Sequence, residues 1–201
     1  MTAVTSAAFD GGFRQPVFDA QTTFRAIMDA LARPGRRVIC RPLATAPAPM
    51  SPLMAAVALT LVDPETPVWL DGALAASADV RGWFAFQTGA PMVDQPADAA
   101  FAFVVDPARM PPLSAFAQGT PEYPDRSTTL VVSAESVEDT GAVFTGPGIE
   151  TSVLFDTRPA IPAFAEQWQA NRALFPRGVD LLFVAADAIV GLPRSSRLRT
   201  G

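Results

Sequence analysis

The 201-residue chain contains no histidine and no lysine, and these two absences exclude several kinds of active site. Without histidine there can be no Ser-His or Cys-His nucleophile pair, and the commonest general base and metal ligand are missing. Without lysine there can be no Schiff base with pyridoxal phosphate, and no phosphate-binding loop of the Gly-Lys-Ser/Thr kind. All 15 basic residues are arginines.

Cysteine and positive charge are also scarce. A single cysteine, Cys40, excludes an internal disulfide and a metal site built from several cysteines, and we predict that it is a small buried side chain in a strand over 37–41. The net charge of −5 argues against a general nucleic-acid-binding protein, which would usually be basic. We expect no metal and no cofactor.

Long apolar runs are missing as well. No run approaches the roughly 20 residues that a membrane-spanning helix needs. Residues 1–14 lack the basic start and apolar block of a secretory signal, so we expect a cytoplasmic protein without a membrane segment. A composition that is 49% hydrophobic and only 17% charged indicates surface that is buried against partners.

The C-terminal stretch 178–197 (GVDLLFVAADAIVGLPRSSR) carries the clearest strand pattern of the chain. Its two apolar runs, 179–184 and 189–192, are separated by a short break and predict two neighbouring buried strands, most simply a hairpin. Pro193 cannot donate to a strand ladder and marks the end of the second strand. The sequence then becomes polar and basic.

A helix is well signalled from Asp19, which can cap it, to Arg33, with Pro34-Gly35 ending it. The spacing of Phe24, Ile27, Met28 and Leu31 predicts its apolar face. Further helices are predicted over 51–62, 79–87, 113–117 and 162–174, and strands over 68–70, 101–105, 127–133 and 142–145. We expect 142–145 to pair with 127–133, joined by a solvated acidic connection at 135–139.

Helices and strands alternate without repeats or long linkers, which predicts one α/β domain with a mixed sheet flanked by helices in a three-layer arrangement. Residues 1–16 are expected to be a loosely ordered segment, 17–197 the domain, and 198–201 a tail.

Five short segments stand out along the chain: 24–35 (FR through RPG), 60–70 (TLVD and TPVWL), 88–91 (TGAP), 145–149 (TGPGI) and 178–196 (GVDLL and LPRSS). Each motif is weak alone, but five in order at similar spacing are specific, and they cover nearly the whole chain. In this order they resemble the PhnH family, whose members are components of the carbon–phosphorus lyase core complex.

The resemblance implies an α/β fold similar to that of pyridoxal-phosphate-dependent transferases but without the cofactor, a homodimer when isolated, and a complex with the PhnG, PhnI and PhnJ subunits of the lyase. It implies a role in phosphonate catabolism. With PhnG, PhnI and PhnL, the family is implicated in transferring the ribose triphosphate of ATP to methylphosphonate, before PhnJ cleaves the C–P bond. It implies no catalytic residue for this chain.

The residues themselves suggest a few ligand or partner contacts, each beside a structural alternative. Gly146 and Gly148 flank a proline and form either a tight turn or a loop that approaches a phosphate or a partner. Arg194, Ser195 and Ser196 form either an anion site or a solvated tail. Arg177 is either a phosphate ligand or a cation at a helix end.

Asp180 interrupts an apolar run, and we predict a structural role in which it pairs with Arg194 or a backbone amide. The tryptophans are predicted to be core or interface anchors.

We infer a non-catalytic or co-catalytic subunit of an enzyme complex, without independent activity. One alternative is an independent enzyme or binding protein that holds a phosphorylated or phosphonate ligand through arginines, with an aspartate as base. Another is a homodimeric scaffold without a ligand.

Overall fold

A six-stranded mixed sheet forms the centre of the molecule in the computed structural model, which describes residues 11–199. Its strands are β2 (Val38–Ile39), β4 (Val68–Leu70), β5 (Phe101–Val104), β6 (Thr129–Ser133), β9 (Asp180–Val184) and β10 (Ala188–Leu192). They lie in the order β2-β10-β9-β6-β5-β4. The neighbouring strands from β4 to β9 pair in parallel, whereas β10 is antiparallel to both β9 and β2.

Two smaller sheets accompany it. Their strands are β1 (Gly12–Phe13), β3 (Ala44–Thr45), β7 (Ser136–Thr145), β8 (Val153–Arg158) and β11 (Arg197–Leu198). One is a three-stranded antiparallel sheet with the order β11-β7-β8, and the other is a two-stranded sheet that pairs β1 with β3.

Two of the helices begin after a serine whose side chain caps the first turn. Ser51 and Ser77 each accept a backbone N–H through the hydroxyl, from Met54 at 3.2 Å and from Val80 at 3.3 Å. The helices are α1 (Pro16–Ala32), α2 (Pro52–Leu61), α3 (Gly72–Ala76), α4 (Ala78–Gln87) and α5 (Phe164–Ala173), with short 3-10 helices at Pro96–Asp98 and Leu113–Ala115. Within 11–199, none of the helices combines the length and apolar character that crossing a bilayer requires.

Each face of the large sheet has its own apolar core. Leu182 and Val184 of β9 pack with α1, α2 and α4 on one face, while Leu181 and Phe183 pack on the other with α5 and the three-stranded sheet. Burial on both faces explains why β9 reads as an unbroken apolar run instead of an alternating one.

The predicted α/β class with a mixed sheet and helices is confirmed, as is the C-terminal hairpin of β9 and β10. The covering layers are unequal, because one face carries α1 to α4 whereas the other carries α5 and a small sheet. Cys40 is buried, with 4% of its surface exposed, as predicted. Trp83 and Trp168 are fully buried, and Trp69 is partly buried with its ring edge-to-face against Phe116.

The prediction for the first helix is wrong in two respects. The helix begins at Pro16, and Asp19 lies in its first turn, where its carboxylate accepts the Gln15 N–H at 2.9 Å. Its buried face consists of Thr23, Ala26, Ile27 and Ala30, so that Phe24 and Met28 are 46% and 50% exposed. The buried face approaches β10 closely, since a Cβ on Gly191 would stand 2.6 Å from the carbonyl oxygen of Ala30, and Phe24 and Met28 lie away from this contact.

Residues 142–145 lie in a strand as predicted, but the predicted pairing of this strand and the predicted connection at 135–139 are wrong. The acidic stretch is part of the long strand β7, whose partners are β8 and β11 and not β6. Its polar residues are tolerated because most of the middle of β7 is exposed and its register shifts between Glu138 and Ala142. Periodicity alone did not show that β6 already has two partners in the large sheet.

The segment 1–16 was predicted to be loosely ordered. Its residues 1–10 lie outside the described residues, and its strand β1 pairs with β3. Two residues of the predicted tail at 198–201 are described, and Leu198 belongs to β11.

Candidate functional site

Three of the five segments that carry the resemblance meet at one end of the molecule, and we call them the C-terminal motif cluster: 33–35, 145–149 and 192–196. The Gly35 N–H donates to the carbonyl oxygen of Gly191 at 3.0 Å, which ties the end of α1 to β10. Gly148 lies against the same helix end, where a Cβ would stand 2.1 Å from the carbonyl oxygen of Ala32. Glycine is therefore required at 148, the more so because its φ of +80° disfavours side chains.

Gly146 brings the second and third of these segments together. A Cβ at this position would stand 3.1 Å from the carbonyl oxygen of Ser195 and 3.2 Å from the Cα of Ser196. Next to it, Arg197 of β11 pairs with Thr145 of β7. The predicted contact residues Gly146, Ser195 and Ser196 are thus neighbours in space. The backbone at Gly146 packs closely against the backbone of the two serines.

The Asp180 carboxylate and the Arg194 guanidinium form the strongest polar interaction of the cluster. Oδ1 of Asp180 accepts the Arg194 backbone N–H at 2.7 Å and its Nε–H at 3.1 Å, and Oδ2 accepts from Nε at 3.1 Å and from Nη2. The remaining terminal nitrogen, Nη1, donates to the carbonyl oxygen of Pro124 at 2.7 Å. Both partners that the sequence suggested for Asp180 therefore contact it.

This geometry limits what Arg194 can do for a ligand. Only 15% of its side chain is exposed, its charge is balanced by Asp180, and each of its three guanidinium nitrogens donates within the protein. A bidentate ion pair of this kind fixes the start of β9 against the end of β10. An incoming phosphate would have to displace Asp180 to receive the same donors.

The two serines behave differently from each other. Ser195 is partly exposed, whereas Ser196 is fully buried, with its carbonyl oxygen accepting the Trp168 indole N–H at 3.2 Å. The Ser196 hydroxyl is buried and has no hydrogen-bond partner within 11–199. Ser196 thus anchors the chain after β10 to helix α5.

Arg177 follows α5 and is partly buried. Close to it, the Asn171 side chain forms two hydrogen bonds with the backbone of Val179, a contact that the sequence analysis did not predict. The buried amide of Asn171 accepts the Val179 N–H at 2.8 Å and donates to the Val179 carbonyl at 2.9 Å. Gly178, with φ +115°, allows this approach, since a Cβ there would stand 2.8 Å from Asn171 Oδ1. An asparagine near the end of a predicted helix, with Gly178-Val179 just before the next apolar run, is the sequence signal that could have identified this contact.

The other two segments form a second motif cluster, 60–70 with 88–91, at the opposite edge of the large sheet. The Val68 N–H donates to the Pro91 carbonyl at 2.9 Å, and a Cβ on Gly89 would stand 3.1 Å from Pro64 Cγ. Asp63 accepts the Thr66 hydroxyl at 2.5 Å and the Glu65 N–H at 2.9 Å, and these hydrogen bonds lower the pKa of its carboxyl. The segments close the turns before β4 and after α4.

Asp71 is a buried carboxylate that sequence reasoning missed. It is 4% exposed and accepts three backbone N–H groups, from Leu74 at 2.9 Å, Val105 at 2.7 Å and Asp106 at 2.9 Å. It therefore caps α3 and also joins the carboxyl ends of β4 and β5. An aspartate directly between a strand and a Gly-Ala-Leu helix start was the available signal.

Two cavities adjoin residues described above. One of about 140 Å³ lies beside the C-terminal motif cluster and includes Gly148 and Arg36 in its lining. The other, about 400 Å³ and largely apolar, lies between the 3-10 helix Leu113–Ala115 and α5.

Within 11–199, no group of three or more histidine, cysteine, aspartate or glutamate residues is arranged to hold a metal ion.

Comparisons with known proteins agree with the five segments. The family model described as "Bacterial phosphonate metabolism protein (PhnH)" matches residues 11–199. The chain is similar to the alpha-D-ribose 1-methylphosphonate 5-triphosphate synthase subunit PhnH of Rhizobium meliloti (strain 1021), with 46% identity over 202 residues that cover 98% of both chains. The resemblance is confirmed, and this chain belongs to the PhnH family of bacterial phosphonate metabolism proteins.

Proposed function

We propose that this chain is the PhnH component of an enzyme complex that makes alpha-D-ribose 1-methylphosphonate 5-triphosphate during phosphonate catabolism. The observation that carries the proposal is 46% identity over essentially the full length of a protein with that named role. In the proposed reaction, this chain acts with PhnG, PhnI and PhnL to transfer the ribose triphosphate of ATP to methylphosphonate and release adenine. PhnJ then cleaves the C–P bond of the product.

A structural or co-catalytic role within that complex agrees with the geometry of the motif clusters. The residues that carry the resemblance close turns, allow close backbone approach and hold strand ends, as Gly148, Gly146 and the Asp180–Arg194 pair do. The alternative of an independent enzyme that binds a phosphorylated ligand through Arg194 is not favoured, because that guanidinium already donates to Asp180 and to the Pro124 carbonyl.

Further parts of the proposal follow from the family. We propose that PhnG, PhnI and PhnJ are the partners, that the protein works in the cytoplasm, and that the isolated chain forms a homodimer. The likeness of the fold to pyridoxal-phosphate-dependent transferases stays a prediction, and superposition on experimental structures of such enzymes would test it.

Reconstitution tests the proposed function. Purified PhnG, PhnI and PhnL would be incubated with ATP and methylphosphonate, with and without this chain, and released adenine would be measured by chromatography. We expect methylphosphonate-dependent adenine release only when this chain is present. Equal release in its absence would show that the chain is not a required component.

A further inference from the structure

The outer face of α1 exposes an apolar ridge. Val17, Phe24 and Met28 follow one another at spacings of seven and four residues, so they lie on one side of the helix, and they are 77%, 46% and 50% exposed. Phe18, which is 67% exposed, lies on the neighbouring row. The opposite face of the helix packs against β10 and α2.

Positive charge is concentrated in the same part of the chain. Residues 14–41 contain six arginines and two aspartates, a net charge of +4, whereas the whole chain carries −5, so the remainder carries −9. Arg33 pairs with Asp29, and Arg37 lies 3.6 Å from Asp187. Arg25 and Arg36 are exposed and form no ion pair with another residue of 11–199.

A second copy of this chain is a poor occupant for the ridge. In a two-fold dimer the same patch faces itself, so the basic segment of one copy would oppose that of the other. Like charges placed against each other across an interface are unfavourable. The homodimer that we propose for the isolated protein would therefore use another surface.

We propose that the ridge Val17–Phe24–Met28, with Arg25 beside it, is the docking surface for a different protein subunit whose matching patch has an apolar centre and an acidic rim. The inference rests on the proposed function, which requires partner subunits. Exposed aromatic and methionine side chains provide apolar anchors, and the unpaired Arg25 beside them steers an acidic partner and selects it.

Binding of the purified complex of PhnG, PhnI and PhnJ to immobilised full-length protein tests this assignment. The double substitution Phe24→Ala/Met28→Ala is expected to weaken the dissociation constant at least tenfold. Arg25→Glu is expected to slow association about threefold or more and to reduce its dependence on salt concentration, because a steering charge is lost.

Matched controls lie elsewhere on the surface. Leu154→Ala removes an apolar side chain of similar exposure, 44%, from β8, and Arg109→Glu reverses a charge on a side chain that is 88% exposed. Both are expected to bind like the wild type, and circular dichroism would verify that every variant is folded.

The outcomes separate the two proposals. If the wild type does not bind the complex, the proposed function fails. If the wild type binds and the ridge variants bind equally well, only the docking surface is wrong. Co-sedimentation of the wild type, but not of the ridge variants, with phosphatidylserine vesicles, together with unchanged partner binding, would also overturn it in favour of a membrane contact.

Discussion

At the scale of single residues, Gly148 occupies a position where the carbonyl oxygen of Ala32 leaves no space for a side chain. We predict that Gly148→Ala lowers the free energy of unfolding by about 2–4 kcal/mol, because it adds both a backbone clash and a strained φ. Chemical denaturation measures the change.

The matched control is Gly72→Ala, where no atom lies within 4 Å of the added Cβ and the residue begins α3. There we expect no loss, and a gain of up to about 1 kcal/mol from helix propensity. Equal stability of Gly148→Ala and the wild type would contradict the packing assigned to the C-terminal motif cluster.

The Asp180–Arg194 pair makes a second prediction at this scale. Asp180→Ala leaves a guanidinium that is only 15% exposed without its counter-charge, so a loss of about 2–3 kcal/mol is expected in denaturant unfolding. Asp106→Ala, which removes the partner of the exposed Arg109, should cost less than about 0.5 kcal/mol. Similar losses in the two variants would show that the buried pair has no special structural role.

Burial raises the pKa of the Cys40 thiol above its ordinary value of 9.0. The folded state therefore holds this proton more tightly, and the contribution to stability is constant at lower pH and declines as the pH rises past the unfolded pKa. Because the thiolate is the reactive form, we predict that Cys40 reacts with iodoacetamide at pH 8 at least tenfold more slowly in the folded protein than in denaturant. Comparable rates would show that Cys40 is accessible.

At the scale of elements, both faces of β9 are buried, although the helices and the three-stranded sheet that cover them differ. We therefore predict that Leu181→Ala and Leu182→Ala, which remove side chains from opposite faces, each lower the free energy of unfolding by about 2–5 kcal/mol. Leu154→Ala on the exposed side of β8 should cost less than about 1 kcal/mol. A near-neutral result at either core position would mean that one face of the sheet is solvated.

Sequence patterns were sufficient for elements whose environment is local. The β9–β10 hairpin and the helix that begins after Ser51 could be predicted because an apolar run and a serine before a proline are short-range signals. The outward position of Phe24 and Met28 could not, because it depends on small residues of α1 meeting β10, a contact between parts of the chain far apart in sequence.

In the candidate site, too, local contacts could be predicted from the sequence and contacts between distant segments could not. The pairing of Asp180 with Arg194 followed from the cost of burying an acid, whereas the meeting of Gly146 with Ser195 required the three-dimensional arrangement. Asp71 was missed because its role joins α3 with the end of β5, 34 residues away in sequence.

At the scale of the whole molecule, the protein is acidic overall but carries a basic segment, 14–41, with exposed apolar residues on α1. This asymmetry, together with full-length similarity to a named synthase subunit, supports our proposal that the protein works by assembling with others. Docking through α1 would leave the two motif clusters to hold the large sheet and its ends in shape.

Co-expression of this chain, with an affinity tag, alongside PhnG, PhnI and PhnJ tests that account most directly. The purified material would be analysed by size-exclusion chromatography with light scattering. We predict a single species that contains all four chains and has a mass well above that of any homodimer of this 21.2 kDa protein. Assembly of PhnG, PhnI and PhnJ into a stable complex from which this chain is absent would contradict the account.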